Sequence, residues 1–212
     1  MRNVMPVDGL NHRLSWWPRR RVLQAGGLAL VGMATGRSWC GAAQEVLSPT
    51  PQCDNGKGPA TPRQTEGPFY TPHTPKRTSL IEAGTEGTLI MVTGNVYNTR
   101  CEPLAGALLD FWQANANGVY DNQGYTLRGH QFADAMGQYR LETVIPGLYP
   151  GRTRHIHVKV QAPHGPVLTT QLYFPNELEN KRDAIYDARL LVTMSPPSAA
   201  KPIARFDFVL RV

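Results

Sequence analysis

An antiparallel β-sandwich with long loops and at most a short helix is the fold this sequence predicts, on three observations. Short runs rich in apolar and β-branched residues recur from Thr88 to the end of the chain. Turns containing glycine or proline separate them. The chain has 212 residues, 41% of them apolar, which suits one core and excludes two large domains. It carries no repeat of 20 to 50 residues of the kind that would signal a solenoid or propeller.

The first segment, PRRRVLQAGGLALVGMATG (Pro18 to Gly36), joins Arg19 and Arg20 to a short apolar run that leads to Gly41, Ala42 and Ala43. Gly26, Gly27 and Gly32 would each weaken a buried helix by about 1 kcal/mol, and the run is too short to span a bilayer. The pattern resembles the bacterial twin-arginine export signal, so residues 1–43 are expected to be an export segment cleaved after about Ala43. The implied partner is the twin-arginine export machinery, and the implied location is periplasmic or secreted. The +6 formal charge is concentrated partly in this segment, so it is no argument for nucleic-acid binding, and no apolar run of 18 residues predicts a membrane span in the mature chain.

Residues 44–64, rich in Pro, Gly, Thr and Gln, read as an extended arm, and residues 65–212 as the sandwich domain. In TEGPFY (Thr65 to Tyr70), Gly67-Pro68 demands a turn or extended backbone, with Phe69 and Tyr70 as anchors. Strands are predicted over Thr88–Tyr97, Ala107–Ala114, the QYRLETV run from Gln138, the HIHVKVQA run from His155, and Val167–Phe174, with NANGVYDNQGY left as a loop. Glu177–Ala188 is predicted to hold a short helix. Ala204–Val212 is predicted as one alternating strand with Phe206, Phe208, Leu210 and Val212 on one face. Beyond Cys40 in the export segment, Cys53 and Cys101 remain, and in an oxidising compartment they are expected to pair, though sequence leaves two independent thiols open.

The chemistry is concentrated in YPGRTRHIH, Tyr149 to His157. His155 and His157 are two apart, and alternate side chains of a strand share a face, so both imidazoles project together. By itself a His-X-His pair is weak, because two surface histidines on a strand bind only stray transition metals. A resident metal needs further ligands, and no carboxylate follows His157. The phenols Tyr149 and Tyr120 are the other candidates.

With these residues the sequence resembles the intradiol ring-cleavage dioxygenases, the family of catechol and protocatechuate 3,4-cleaving enzymes. The resemblance runs through TEGPFY, GALLDFWQANANGVY (Gly106 to Tyr120), GQYRLETVIPGLYPGR (Gly137 to Arg152), RHIH and TTQLYF (Thr169 to Phe174), in that order, over residues 61–175. It implies Fe(3+) as cofactor, held by Tyr120, Tyr149, His155 and His157. Ferric iron is a hard ion that lowers a phenol's pKa well below 10, and two phenolates with one hydroxide balance its charge. A catecholate dianion displacing the hydroxide and one phenolate keeps that sum at zero in an apolar pocket.

The resemblance further implies that Tyr149 leaves and serves as base for a substrate hydroxyl while Tyr120 stays. Arg152 would stabilise negative charge on the ring carbon attacked by O2, and Gln171 would lie beside it; a surface ion pair and a strand hydrogen bond are the plainer readings of these two. Gly67 and Pro68 match positions at the edge of the substrate pocket. The implied reaction opens a catechol-type ring with O2 between its hydroxyl-bearing carbons and yields a muconate-type diacid. The arm is too short for the helical N-terminal domain of the catechol 1,2-type enzymes, which implies a small exported single-domain branch.

Other residues are assigned plainer parts. Trp112 and Phe111 read as core packing, Arg154 as facing away from the histidines, His164 as surface, and His73 and His130 as loop residues without a role. Tyr70 and Tyr125 read as hydrogen-bonded tyrosines before pocket walls. The rival readings are a noncatalytic β-sandwich that binds an aromatic or polysaccharide ligand, and an Fe(II) enzyme cutting beside the diol. The ring substituents are not legible, and the oligomeric state, a homo-oligomer included, stays open.

Overall fold

The computed structural model describes residue 53, residues 59–196 and residues 201–212. The expected export segment and most of the arm lie outside the described residues. Among the described residues there are nine strands: β1 (Leu89–Asn98), β2 (Leu108–Trp112), β3 (Arg128–Phe132), β4 (Gln138–Val144), β5 (His155–Gln161), β6 (Val167–Tyr173), β7 (Thr193–Met194), β8 (Ile203–Arg205) and β9 (Phe208–Leu210). One sheet runs β4-β1-β8-β7, with β9 also on β1, and the other runs β3-β2-β5-β6. All pairings in the second sheet are antiparallel. The β-sandwich is the predicted one, with the refinement that β8 and β9 run parallel to β1.

Alternation builds the core. Ile90, Val92 and Val96 of β1 face Leu109 and Phe111 of β2 and Ile156, Val158 and Val160 of β5 in one buried cluster. Each such side chain contributes about 1.5–3 kcal/mol of burial. The opposite face of the β3-β2-β5-β6 sheet therefore carries everything else on those strands, and the site is built there. Among the described residues no helix is long and apolar enough to cross a membrane.

Three expectations need correction or narrowing. Strand β3 was not anticipated, because RGHQF lacks an apolar alternation. Its edge is instead paired by the backbone of Pro75 and Arg77, and His130 lies on it rather than in a loop. The short helix expected within Glu177–Ala188 is a single 3-10 turn at Leu178–Lys181, and a second such turn follows at Ala188–Leu190. The C-terminal strand is interrupted at Phe206 and Asp207, where the buried Asp207 carboxylate accepts from the Asn95 N–H at 2.7 Å. Val209 is buried too, with Thr61 of the arm bonded along its backbone through an N–H that donates to the Val209 carbonyl, whereas Val212 is exposed. Cys53 and Cys101 form a disulfide that ties the arm to the turn after β1.

Candidate metal centre

Antiparallel register sets the floor of the site. Trp112 of β2, His157 of β5 and Gln171 of β6 lie in one row across the sheet, and His155 lies beside Tyr173 in the next. Both imidazoles are buried and share a face, as their spacing requires. Their Nε2 atoms are 3.1 Å apart, and the Tyr120 Oη is 3.2 Å from Nε2 of His155. Nδ1 of His155 donates to the Thr153 carbonyl at 2.6 Å. A carbonyl only accepts, so Nδ1 carries the proton and Nε2 presents its lone pair.

Loops bring in the phenols. Tyr120 lies within the loop between β2 and β3 and Tyr149 within the one between β4 and β5, and the two loops meet at Gly118 and Gly147. A Cβ on Gly118 would stand 2.0 Å from the Leu148 carbonyl oxygen, so only glycine permits the approach that sets the Tyr149 ring 5.9 Å from that of Tyr120. Phe69 stacks on Tyr120 with centroids 4.4 Å apart and meets Tyr149 edge-on at 5.5 Å. Arg128, wholly buried on β3, clamps this group by donating to the Phe69 carbonyl at 2.5 Å and, from Nη2, to the Asp121 carbonyl at 2.6 Å. Gly67 adopts φ +70°, and a Cβ there would sit 3.5 Å from Cε1 of His157, so this bend lies against the histidine, with the exposed Pro68 next to it.

The donor set fits a cation. Ligands bound at about 2.0–2.2 Å to one ion lie about 3 Å from one another, which matches both the His155–His157 and the Tyr120–His155 spacing. Burial pushes the His155 pKa down to about 4 and that of His157 well below the usual value, so both rings are neutral with a lone pair available. Burial pushes the Tyr120 phenol up to about 12, against the pull of Arg152 and Arg128. The phenol thus keeps its proton until a bound cation supplies the charge to ionise it. No group of three or more His, Cys, Asp and Glu occurs among the described residues, so a metal at this histidine pair requires the phenols.

Arg152 approaches from the loop before β5. Its Nε donates to Asp183 Oδ2 at 2.9 Å and its Nη2 to Gln171 Oε1 at 2.6 Å. Tyr173 also donates to Gln171 Oε1, and Gln171 Nε2 reaches the Thr65 carbonyl. Arg152 therefore does carry an ion pair, but a mostly buried one joined to Gln171. A cleft of about 370 Å³ opens beside it, lined by Leu148, Tyr149, Pro150, Arg152, Arg182 and Asp183 among others.

The structure thus gathers Tyr120, Tyr149, His155, His157, Arg152 and Gln171 on one face, with Gly67 against His157. Arg154 turns away to Glu177, as expected. Tyr70 donates to Asp110 and Tyr125 to the Pro72 carbonyl, both as hydrogen-bonded tyrosines. His73 and His164 occupy turns with positive φ. Trp112 requires correction. Phe111 is core, but Trp112 faces the other way and stacks on His157, centroids 4.7 Å apart and planes at 10°. The signal was available in the period of two, which puts residue 112 on the face opposite residue 111.

His157 Nδ1 is buried without a hydrogen-bond partner, so the indole face takes over the orienting task that a second hydrogen bond performs for His155. Trp112→Leu is expected to release a metal ion loaded at this site about 10-fold faster into a chelator, with Trp112→Phe close to wild type. Equal release from all three proteins would remove this role for the indole.

A family model described as dioxygenase matches residues 65–212. The catechol 1,2-dioxygenase of Acinetobacter baylyi is 27% identical over 159 residues, 61% of this chain and 51% of that protein. The protocatechuate 3,4-dioxygenase beta chain of Burkholderia cepacia is 31% identical over 153 residues, 59% of this chain and 65% of that protein. This chain thus spans about half the length of the catechol 1,2-dioxygenases it matches. Among solved structures, the dioxygenase domain of a dioxygenase carbohydrate-binding protein fusion from Streptomyces sp. SirexAA-E is 52% identical. It superposes with a TM-score of 0.70 over 73% of this chain and 99% of that one.

Proposed function

The chain belongs to the intradiol ring-cleavage dioxygenase family, and from that premise we propose that it is a nonhaem Fe(III) enzyme that opens a catechol-type ring. The bond broken lies between the two hydroxyl-bearing carbons. Both atoms of O2 enter the product, a muconate-type diacid. The observation that carries this reading is the chain of close contacts from Tyr120 Oη to His155 Nε2 at 3.2 Å and from there to His157 Nε2 at 3.1 Å, with Tyr149 packed against Tyr120.

Tyr120, Tyr149, His155 and His157 are the residues that would hold the iron. When bound, ferric iron supplies a hard Lewis acid that favours the doubly deprotonated form of a catechol. The two tyrosines differ in mobility. Tyr120 is buried under Phe69, whereas Tyr149 is half-buried in a loop that borders the cleft. Tyr149 would therefore be the phenol free to move toward the cleft, and its Oη would accept the proton of a substrate hydroxyl. Arg152, aimed by Asp183 and Gln171, presents fixed positive charge to a ring that gains negative character. Trp112 and the bend at Gly67 lie against His157 and shield it from water, while Phe69 covers Tyr120.

The same proposal places the mature protein outside the cytoplasm. The arginine pair and apolar run within residues 1–43 support export, and the Cys53–Cys101 disulfide suits an oxidising compartment.

Iron-loaded protein should be red to brown from phenolate-to-iron charge transfer. With a panel of catechols it should take up one O2 per ring and form a colourless diacid absorbing in the ultraviolet. A yellow semialdehyde would replace this reading with cleavage beside the diol, and no oxygen uptake with any catechol would leave a binding domain.

A further inference from the structure

A residue outside every motif that marks the site reaches into it twice. Asp183 follows the 3-10 turn Leu178–Lys181, and its side chain is 1% exposed. Its Oδ2 accepts from Arg152 Nε at 2.9 Å and from the Thr153 N–H at 3.0 Å, while its Oδ1 accepts from the Ile185 N–H at 3.0 Å. Thr153 is the residue whose carbonyl holds Nδ1 of His155, and Asn180 takes its hydroxyl at 2.5 Å. One carboxylate oxygen thus touches both the guanidinium and the backbone that orients an imidazole.

We propose that Asp183 is a positioning residue that sets the aim of Arg152 and the seat of His155 together. The assignment rests on the reading of the site as an iron-dependent oxygenase. An arginine side chain has several rotatable bonds and is immobilised only when both ends of its planar fork are held. Asp183 holds the Nε edge and Gln171 holds Nη2, so the charge is fixed in place before substrate arrives, which is the condition for electrostatic catalysis. Through the Thr153 N–H the same carboxylate fixes the Arg152–Thr153 peptide, and so holds the residue whose own carbonyl takes His155 Nδ1, as outer groups do for metal-bound histidines.

The test is a double-mutant cycle on full-length, iron-loaded protein, with turnover expressed per bound iron. Asp183→Ala should lower kcat about 100-fold. Asp183→Asn should recover to within about 10-fold, because its carbonyl can still face Arg152 and Thr153 with only the Ile185 bond lost. The double variant with Arg152→Ala should be no slower than Arg152→Ala alone, within about 3-fold, since residues acting as one unit are non-additive. A purely structural role predicts multiplied losses, and multiplied losses or wild-type turnover by Asp183→Ala would overturn the proposal. Iron release into a chelator is read without turnover and so stands apart from the reaction itself. About 10-fold faster release from Asp183→Ala than from Arg152→Ala supports the seat of His155, and equal release overturns it.

Discussion

Replacement of His157 by alanine is expected to leave a protein that folds but no longer keeps iron, colour or turnover. The Nε2 of this ring lies 3.1 Å from that of His155, which is itself 3.2 Å from Tyr120 Oη, and among the described residues no carboxylate joins the two imidazoles in a metal-competent group. Disturbing a neighbour of a metal ligand costs about 10–100-fold in affinity, so deletion of the ligand itself should exceed about 100-fold. The inner core is untouched, because His157 lies on the outer face of the sheet, among Trp112, His155 and Gly67. Far-ultraviolet circular dichroism should therefore stay native while iron per chain and visible absorbance collapse. A coloured, iron-loaded and active variant would refute the proposed centre. Tyr149→Phe separates the roles further. It keeps the ring contacts with Phe69 and Tyr120 but removes Oη, so the colour should shift and turnover should fall.

Arg152→Ala should give the complementary phenotype, with iron and resting colour retained and kcat reduced about 100- to 1000-fold. The guanidinium bonds to Asp183, Gln171 and Tyr173 and to none of the proposed iron ligands. Its loss leaves the buried Asp183 carboxylate without its cation, although two backbone N–H groups remain. Burial would raise that carboxyl, but the Thr153 and Ile185 N–H groups and Arg152 outweigh it and hold it below the usual range. Removing one partner of a buried pair costs up to about 3–5 kcal/mol, so some loss of thermal stability should accompany the kinetic one. Arg152→Lys should not rescue turnover, because an ammonium cannot present one edge to Asp183 and another to Gln171. The measurement is single-turnover kinetics beside iron content and melting temperature. Loss of iron in step with activity would reassign Arg152 to holding the centre together.

Much of this was legible in one dimension. Alternation alone placed His155 and His157 on one face and Ile156 and Val158 on the other, because the period of a strand is a local property of the backbone. The ordered blocks that resemble the family marked Tyr120, Tyr149, Arg152 and Gln171, which the structure collects on that face. Strand β3 escaped because its pairing comes from neighbours and not from its own composition. The alternation expected through Val212 failed because the strand breaks at Phe206 and Asp207, where the buried Asp207 carboxylate bonds to the distant Asn95 N–H.

By itself the sequence determined the strand order's raw material, the facing of the two histidines and the identity of the groups able to bind a hard cation. Only the tertiary structure decided that Trp112 stacks on His157, that Gly118 lets the two tyrosine loops touch, and that Asp183 grips Arg152 and Thr153 at once. The physical reason is range. Side-chain direction along a strand follows from adjacent peptide bonds, whereas contacts between residues tens of positions apart depend on sheet register and loop packing, which no single stretch of chain encodes.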